Sequence, residues 1–197
     1  MLYLPILEIY KTLMQTRNIL LQSTAGLLSL FLAAPGNADP VPHYDSAELA
    51  VGLMPRAPQQ IAAFYEARGF SKPMVERLKQ QCFITVWVHN KSQNIIWLDL
   101  ARWEFSNPNS NVTRLDRHYW KAEWSKMQIP PAHQSTFRWT LLPEILDFQP
   151  EEREGGNIVL PRSNSPMQIH ASFPTKADKS GIPITVIFNN IECAQDP

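Results

Sequence analysis

The apolar segment from Ile19 to Ala34 decides which part of this chain folds and in which compartment. The basic residues Lys11 and Arg17 precede the segment, and the small residues Gly36-Asn37-Ala38 follow it. A charged region, an apolar region and small residues before a cleavage point are the three parts of a secretory signal peptide. The pattern predicts cleavage after Ala38, which would leave residues 39–197 to fold in the periplasm or outside the cell.

The alternative is that the same segment stays uncut and anchors the chain in a membrane. It is about 16 residues long and is interrupted by Gln22, Ser23 and Thr24, whereas a spanning helix needs about 20 apolar residues. Cleavage is therefore the favoured interpretation. Translation from Met14 would give a more compact signal peptide, so the use of residues 1–13 stays open.

Charge and length restrict the partners and the domain count. We expect residues 39–81 to form a lead-in with short helices, and residues 82–197 to form a β-sandwich packed with them as one domain. The formal net charge is zero and the chain has no basic run, which argues against nucleic acid and against anionic lipid surfaces. Membrane contact is expected only through an uncleaved signal segment.

The two cysteines, Cys82 and Cys193, both lie in the part that would be exported. In an oxidising compartment they are most simply one disulfide, and a metal-binding or reactive thiol pair is the alternative. The bridge would join the first predicted strand to the end of the last. No cysteine lies directly after the apolar segment, at the position that a lipid anchor would need, so a lipoprotein is not expected.

Three short helices are predicted before the strands. Asp45 and Glu48 resemble a capping pair that opens a helix through Leu53. Pro58 begins a second helix that ends at Gly69, and Ser71 caps a third that runs to Cys82. Seven strands with Pro, Gly or Asn turns between them are predicted at Cys82–His89, Ile95–Leu100, Arg102–Phe105, Thr136–Leu142, Asn157–Leu160, Met167–Phe173 and Ile184–Ile191.

This pattern predicts a mainly β fold, an immunoglobulin-like two-sheet sandwich preceded by short helices, with a closed barrel as the alternative. Residues 113–128 interrupt the strands and predict one inserted helix, because Trp120, Trp124 and Met127 recur at helical spacing. Two interpretations of this helix stay open. His118, Tyr119, Trp120 and Trp124 would form a partner-binding surface, or the two tryptophans would cover the open end of the sandwich.

The polar residues specify no reaction. His118, His133 and Asp116 are the best candidates for a copper or zinc site, but they lack the spacing of metal ligands. Ser135, His133 and Asp147 lie in no nucleophile motif. No cofactor is expected.

Four segments carry a resemblance: "ARGFSKPMVERLKQQCFITVWVHN", "RLDRHYWKAEW", "HQSTFRWTLLPE" and "DFQPEEREGGNIVLP". Together they resemble a family of uncharacterised exported proteobacterial proteins, and the resemblance covers most of residues 57–193. It implies export to the periplasm and a β-sandwich domain, and it transfers no catalytic residue.

The sequence as a whole favours a non-enzymatic binding or accessory module that interacts with another envelope protein. A periplasmic copper- or zinc-binding protein is the alternative, and a hydrolase is the third interpretation.

Overall fold

A computed structural model describes residues 41–196 of the chain. The predicted signal peptide, its cleavage site and the start at Met14 lie outside the described residues and stay predictions. Within residues 41–196, no helix has the length and apolar character needed to cross a membrane.

Ten strands and four helices make up the described part. The strands are β1 (His43–Asp45), β2 (Leu49–Arg56), β3 (Gln81–Asn90), β4 (Ile96–Asp99), β5 (Glu104–Asn107), β6 (Ser110–Asn111), β7 (Ile145–Phe148), β8 (Arg153–Pro161), β9 (Met167–Phe173) and β10 (Ile184–Ile191). The helices are α1 (Pro58–Glu66), α2 (Lys72–Lys79), α3 (Arg117–Lys126) and α4 (Pro131–Trp139), and a short 3₁₀ turn covers Leu100–Arg102.

The strands form two four-stranded sheets and a two-stranded ribbon, all with antiparallel pairing. The first sheet has the order β1-β2-β3-β8, the second β10-β9-β5-β6, and β4 pairs with β7. Alternate side chains of β3, from Cys82 through Ile84 to Val88, face the core between the sheets and are at most 1% exposed. The mainly β, sandwich-like fold class is confirmed.

The helices cover part of the other face of the first sheet, where a second core lies. Phe83 of β3 and Val159 of β8 point away from the sandwich core and pack against apolar side chains of all four helices. These include Tyr65 of α1 and Trp120 of α3, which are at most 1% exposed. Helices of eight to ten residues are too short to be stable alone, so this packing is what holds them in place.

The two cysteines meet as the sequence predicts. Cys82 begins the inward-facing row of β3, Cys193 follows β10, and their Cα atoms lie 5.3 Å apart in disulfide geometry. Both are buried. Arg162 donates hydrogen bonds to the carbonyl oxygens of Gln81 and Ala194, which ties the backbone on either side of the bridge.

The helix predicted from Asp45 to Leu53 is wrong, because these residues form β1, a turn and β2. The Ser46 hydroxyl accepts hydrogen bonds from the backbone nitrogens of Glu48 and Leu49 at 3.2 and 3.1 Å, which stabilises the turn. The run from Leu49 to Leu53 is buried on both faces of the sheet, so it lacks the alternation that marks a strand.

The strand predicted from Thr136 to Leu142 is also wrong. Residues Pro131–Trp139 form α4, with Pro131 in its first turn, a position that favours a helix start. The single inserted helix of the prediction is therefore a pair: α3, capped by Asp116, whose side chain accepts from Tyr119 N at 2.8 Å, and then α4. The edge strand β7 was not predicted.

Gly156 on β8 allows the chain after α4 to approach the sheet. A Cβ built on Gly156 would lie 2.5 Å from the backbone nitrogen of Leu142 and 2.7 Å from its Cα. We expect Gly156→Ala to lower the free energy of unfolding by about 1–3 kcal/mol, because backbone rather than a flexible side chain must move. Urea unfolding measures this loss. Gly155→Ala is the control, since its Cβ would meet Val86 O at 3.2 Å; equal losses would contradict the explanation.

Candidate functional site

The structure gives the four predicted partner-binding residues of α3 different environments. Trp120 and Trp124 are each 1% exposed, and their rings stack with centroids 4.8 Å apart. Tyr119 is half-buried and its hydroxyl accepts a hydrogen bond from Arg77 of α2, whereas His118 is exposed. The two tryptophans are core residues. A role for these four residues in binding a partner stays a prediction.

The three candidate metal ligands each have a different environment. Asp116 caps the N-terminus of α3. The ring of His133 stacks on Phe70 with a centroid distance of 5.2 Å, and His118 is exposed on α3. Among residues 41–196, no group of three or more His, Cys, Asp or Glu side chains is placed to hold a metal ion.

A cleft of about 500 Å³ lies between α3 and α4, and we name it the helical cleft. Its floor includes Trp120, Trp124 and Phe137. Phe137 of α4 meets both indoles edge-on, with centroid distances of 4.9 and 5.2 Å. The floor is thus built from the same aromatic cluster that packs the second core.

A second concave surface lies between α1 and the end of α4, and we name it the aromatic groove. It has a volume of about 480 Å³, and Phe64 and Trp139 are its exposed aromatic residues. Trp139 is 81% exposed and Phe64 is 38% exposed. Arg68 covers one face of the Phe64 ring, with its guanidinium carbon 3.5 Å from the ring centroid.

The floor of the aromatic groove is a chain of hydrogen bonds on the first sheet. Arg56 Nε donates to Thr85 Oγ1, and Thr85 Oγ1 donates to Asn157 Oδ1, each at 2.8 Å. Asn157 Nδ2 donates to the Thr140 carbonyl oxygen at 3.0 Å. Tyr65 joins the chain through its hydroxyl, 2.7 Å from Thr140 Oγ1, and burial raises the pKa of this phenol so that it stays neutral. The network fixes the shape of the floor.

Trp87 extends the exposed aromatic surface along β3. It projects on the same face of the sheet as Thr85, is 41% exposed, and lies across Gly52 of the paired strand β2. A Cβ on Gly52 would lie 2.1 Å from Trp87 Nε1. Glycine at position 52 is therefore what lets the indole lie close to the sheet surface.

The sequence does not predict the groove, because it places Trp139 in a strand, whereas the structure has Trp139 in the helix α4. In a strand, Trp139 would share a face with Phe137 and Leu141 and be buried with them. In the helix α4, residues two apart lie on different faces, so Phe137 enters the core and Trp139 faces solvent. Pro130-Pro131 follows the predicted helix and favours its end, whereas in the structure Pro131 begins the next helix.

Comparison with known proteins adds little to this geometry. No family model and no curated protein matches the chain. The chain is similar to a solved structure of a putative lipoprotein from Bacillus subtilis, with 10% sequence identity, a TM-score of 0.40 and 77% of this chain covered. The chain spans 39% of the length of that protein. This likeness carries no inference, and the resemblance to exported proteobacterial proteins stays a prediction.

Proposed function

We propose that the protein is an exported, non-enzymatic module that binds another envelope protein through the aromatic groove. The observation that carries the proposal is the 81% exposure of Trp139 beside Phe64, above a floor of fixed hydrogen bonds. Large aromatic side chains left in water on one concave surface are typical of interaction sites.

The residues of the groove match what dominates binding energies in protein interfaces. Tryptophan and arginine are enriched at such positions, because an indole buries a large apolar area and a guanidinium adds directed hydrogen bonds. Trp139, Arg56 and Phe64 supply these groups. The polar side chains of the floor hydrogen-bond one another, which suits a rigid contact surface that need not reorganise on binding.

Two observations support export. The geometry of Cys82 and Cys193 fits a disulfide, and structural disulfides persist in oxidising compartments such as the periplasm. The segment before Asp39 has the pattern of a signal peptide. These two features are independent of each other and point to the same compartment.

The proposal is tested with Trp139→Ala. We expect this substitution to leave the urea-unfolding midpoint unchanged, because the side chain is mostly exposed. An envelope protein that co-purifies with the wild-type protein should bind the variant at least tenfold more weakly, since truncating a central tryptophan costs about 2 kcal/mol or more. Affinity enrichment from the envelope fraction, followed by titration of the purified pair, measures both quantities.

Ile182→Ala is the matched control, because Ile182 is 89% exposed and lies outside the groove. It should retain the partner at wild-type affinity. The proposal fails if the partner binds the Trp139 and Ile182 variants equally well. It also fails if no envelope protein is enriched over a bait of unrelated sequence.

A further inference from the structure

We propose that the helical cleft binds a small amphiphilic anion, a molecule with one acidic head group and an apolar body. This site is distinct from the aromatic groove. The groove opens on the α1 side of α4, and the helical cleft opens on the α3 side. The proposal does not depend on the proposed function.

The charged side chains that line the helical cleft are all basic. Arg117 and Lys121 of α3 and Arg138 of α4 line it together with His118, and no acidic side chain does. None of these three cations has an ion-pair partner within residues 41–196. Like charges held on two facing helices repel one another, and an anion between them removes that repulsion.

Three buried donors around the cleft have no acceptor. The indole nitrogens of Trp120 and Trp124 and the Nε atom of Arg117 make no hydrogen bond within the described part of the chain. Both tryptophans are 1% exposed and line the cleft. A buried donor without an acceptor is costly, and an ionised carboxylate or sulfonate offers acceptors only. Donors of this kind beside the cleft favour an acceptor-rich anion over a cation as its ligand.

The floor of the helical cleft indicates the chemistry of the part of the ligand beyond its acidic head group. The apolar residues that line the cleft are Trp120, Trp124, Phe137 and Leu141, which favours a ligand with an apolar body. A volume of about 500 Å³ falls in the range of small-molecule sites. An inorganic anion would fill only a small part of this volume, and a neutral hydrocarbon would leave the cations that line the cleft without a partner.

The test uses two dyes that differ by one charged group. We expect 1-anilinonaphthalene-8-sulfonate to bind the full chain with one-to-one stoichiometry, at least tenfold tighter than its neutral analogue N-phenyl-1-naphthylamine. The double variant Lys121→Gln/Arg138→Gln should weaken sulfonate binding at least tenfold and leave the neutral dye unaffected. Both substituted side chains are exposed, so the fold should persist, and circular dichroism checks that it does.

Lys72→Gln is the matched control, because Lys72 is an exposed cation on α2 that does not line the cleft. It should bind both dyes like the wild type. Dodecanoate should displace the bound sulfonate dye, and dodecanol at the same concentration should not. Equal affinity for the two dyes would overturn the proposal, as would sulfonate binding that survives the double substitution. Trp139→Ala should leave sulfonate binding intact, so the two proposals can fail separately.

Discussion

Removal of the Cys82–Cys193 disulfide is expected to lower the free energy of unfolding by about 4–5 kcal/mol. The two cysteines are 111 residues apart in sequence, and closing so long a loop removes much of the entropy of the unfolded chain. The bridge also joins the first sheet to the chain that follows β10, the edge strand of the second. Because small domains are stable by only about 5–15 kcal/mol, the loss is a large fraction of the total.

The measurement is urea unfolding of the oxidised protein, the reduced protein and the Cys82→Ala/Cys193→Ala variant. The last two should both have midpoints well below that of the oxidised protein. Both sulfurs are buried, so alanine also leaves small cavities, and the reduced wild-type protein separates that cost from loss of the bridge. An oxidised and a reduced protein with the same midpoint would contradict the prediction.

Asn90→Ala is expected to cost about 3–5 kcal/mol, because Asn90 is fully buried and holds two turns together. Its side-chain nitrogen donates to the carbonyl oxygens of Asn94, Phe148 and Gln149 at 2.7, 3.0 and 3.1 Å. Its Oδ1 accepts from both the backbone nitrogen and the hydroxyl of Ser92, at 2.9 and 2.8 Å. Alanine leaves these buried groups without partners, and each such loss is costly.

Thermal or urea unfolding measures the effect, and Asn94→Ala is the control. Asn94 lies in the same turn, is exposed, and takes part in these bonds only through its backbone. Its substitution should change the free energy of unfolding by less than about 0.5 kcal/mol. Similar losses at positions 90 and 94 would mean that the turn, rather than the buried amide, carries the stability.

Regular alternation made part of the fold predictable from sequence. The strands Met167–Phe173 and Ile184–Ile191 have the predicted bounds, because one face of each packs on the core and the other meets solvent. The alternate side chains from Cys82 to Val88, and Trp103 with Phe105, face the core between the sheets. Where a single surface of a strand is buried, as in β9 and β10, the period of the sequence reports the structure directly.

The predictions of secondary structure are wrong where a strand is buried on both faces or where tertiary contacts determine the secondary structure. β2 is buried on both faces of its sheet, and a continuous apolar run cannot distinguish a strand from a helix. The segment Thr136–Leu142 has aromatic and β-branched residues at period two, yet its helix is stabilised by packing of Phe137 between Trp120 and Trp124. The contact between Phe137 and the two tryptophans joins two different helices, so the sequence around Phe137 alone does not predict it.

The candidate sites depend on the same distinction. Sequence spacing located the aromatic stripe of α3, but only the packing shows that Trp120 and Trp124 are core. Trp120 and Trp124 form part of the floor of the helical cleft, which exists because α4 lies beside α3. Trp139 is exposed because it lies in a helix. Because the sequence predicts a strand there, it does not predict this exposure. Asn90 directly follows the predicted strand Cys82–His89, and nothing in the local sequence marks it as the centre of a hydrogen-bond network.

The position of β3 has a consequence for how the chain is made. Its pairing with β2 is available early, but its other edge pairs with β8, where Gln81 faces Pro161. Its first inward side chain, Cys82, meets a partner 111 residues further along. A chain that emerges from its N-terminus therefore holds a long apolar strand half-paired until most of the protein has appeared. Such an edge favours aggregation, and in this chain the edge of β3 stays open until β8 has been made.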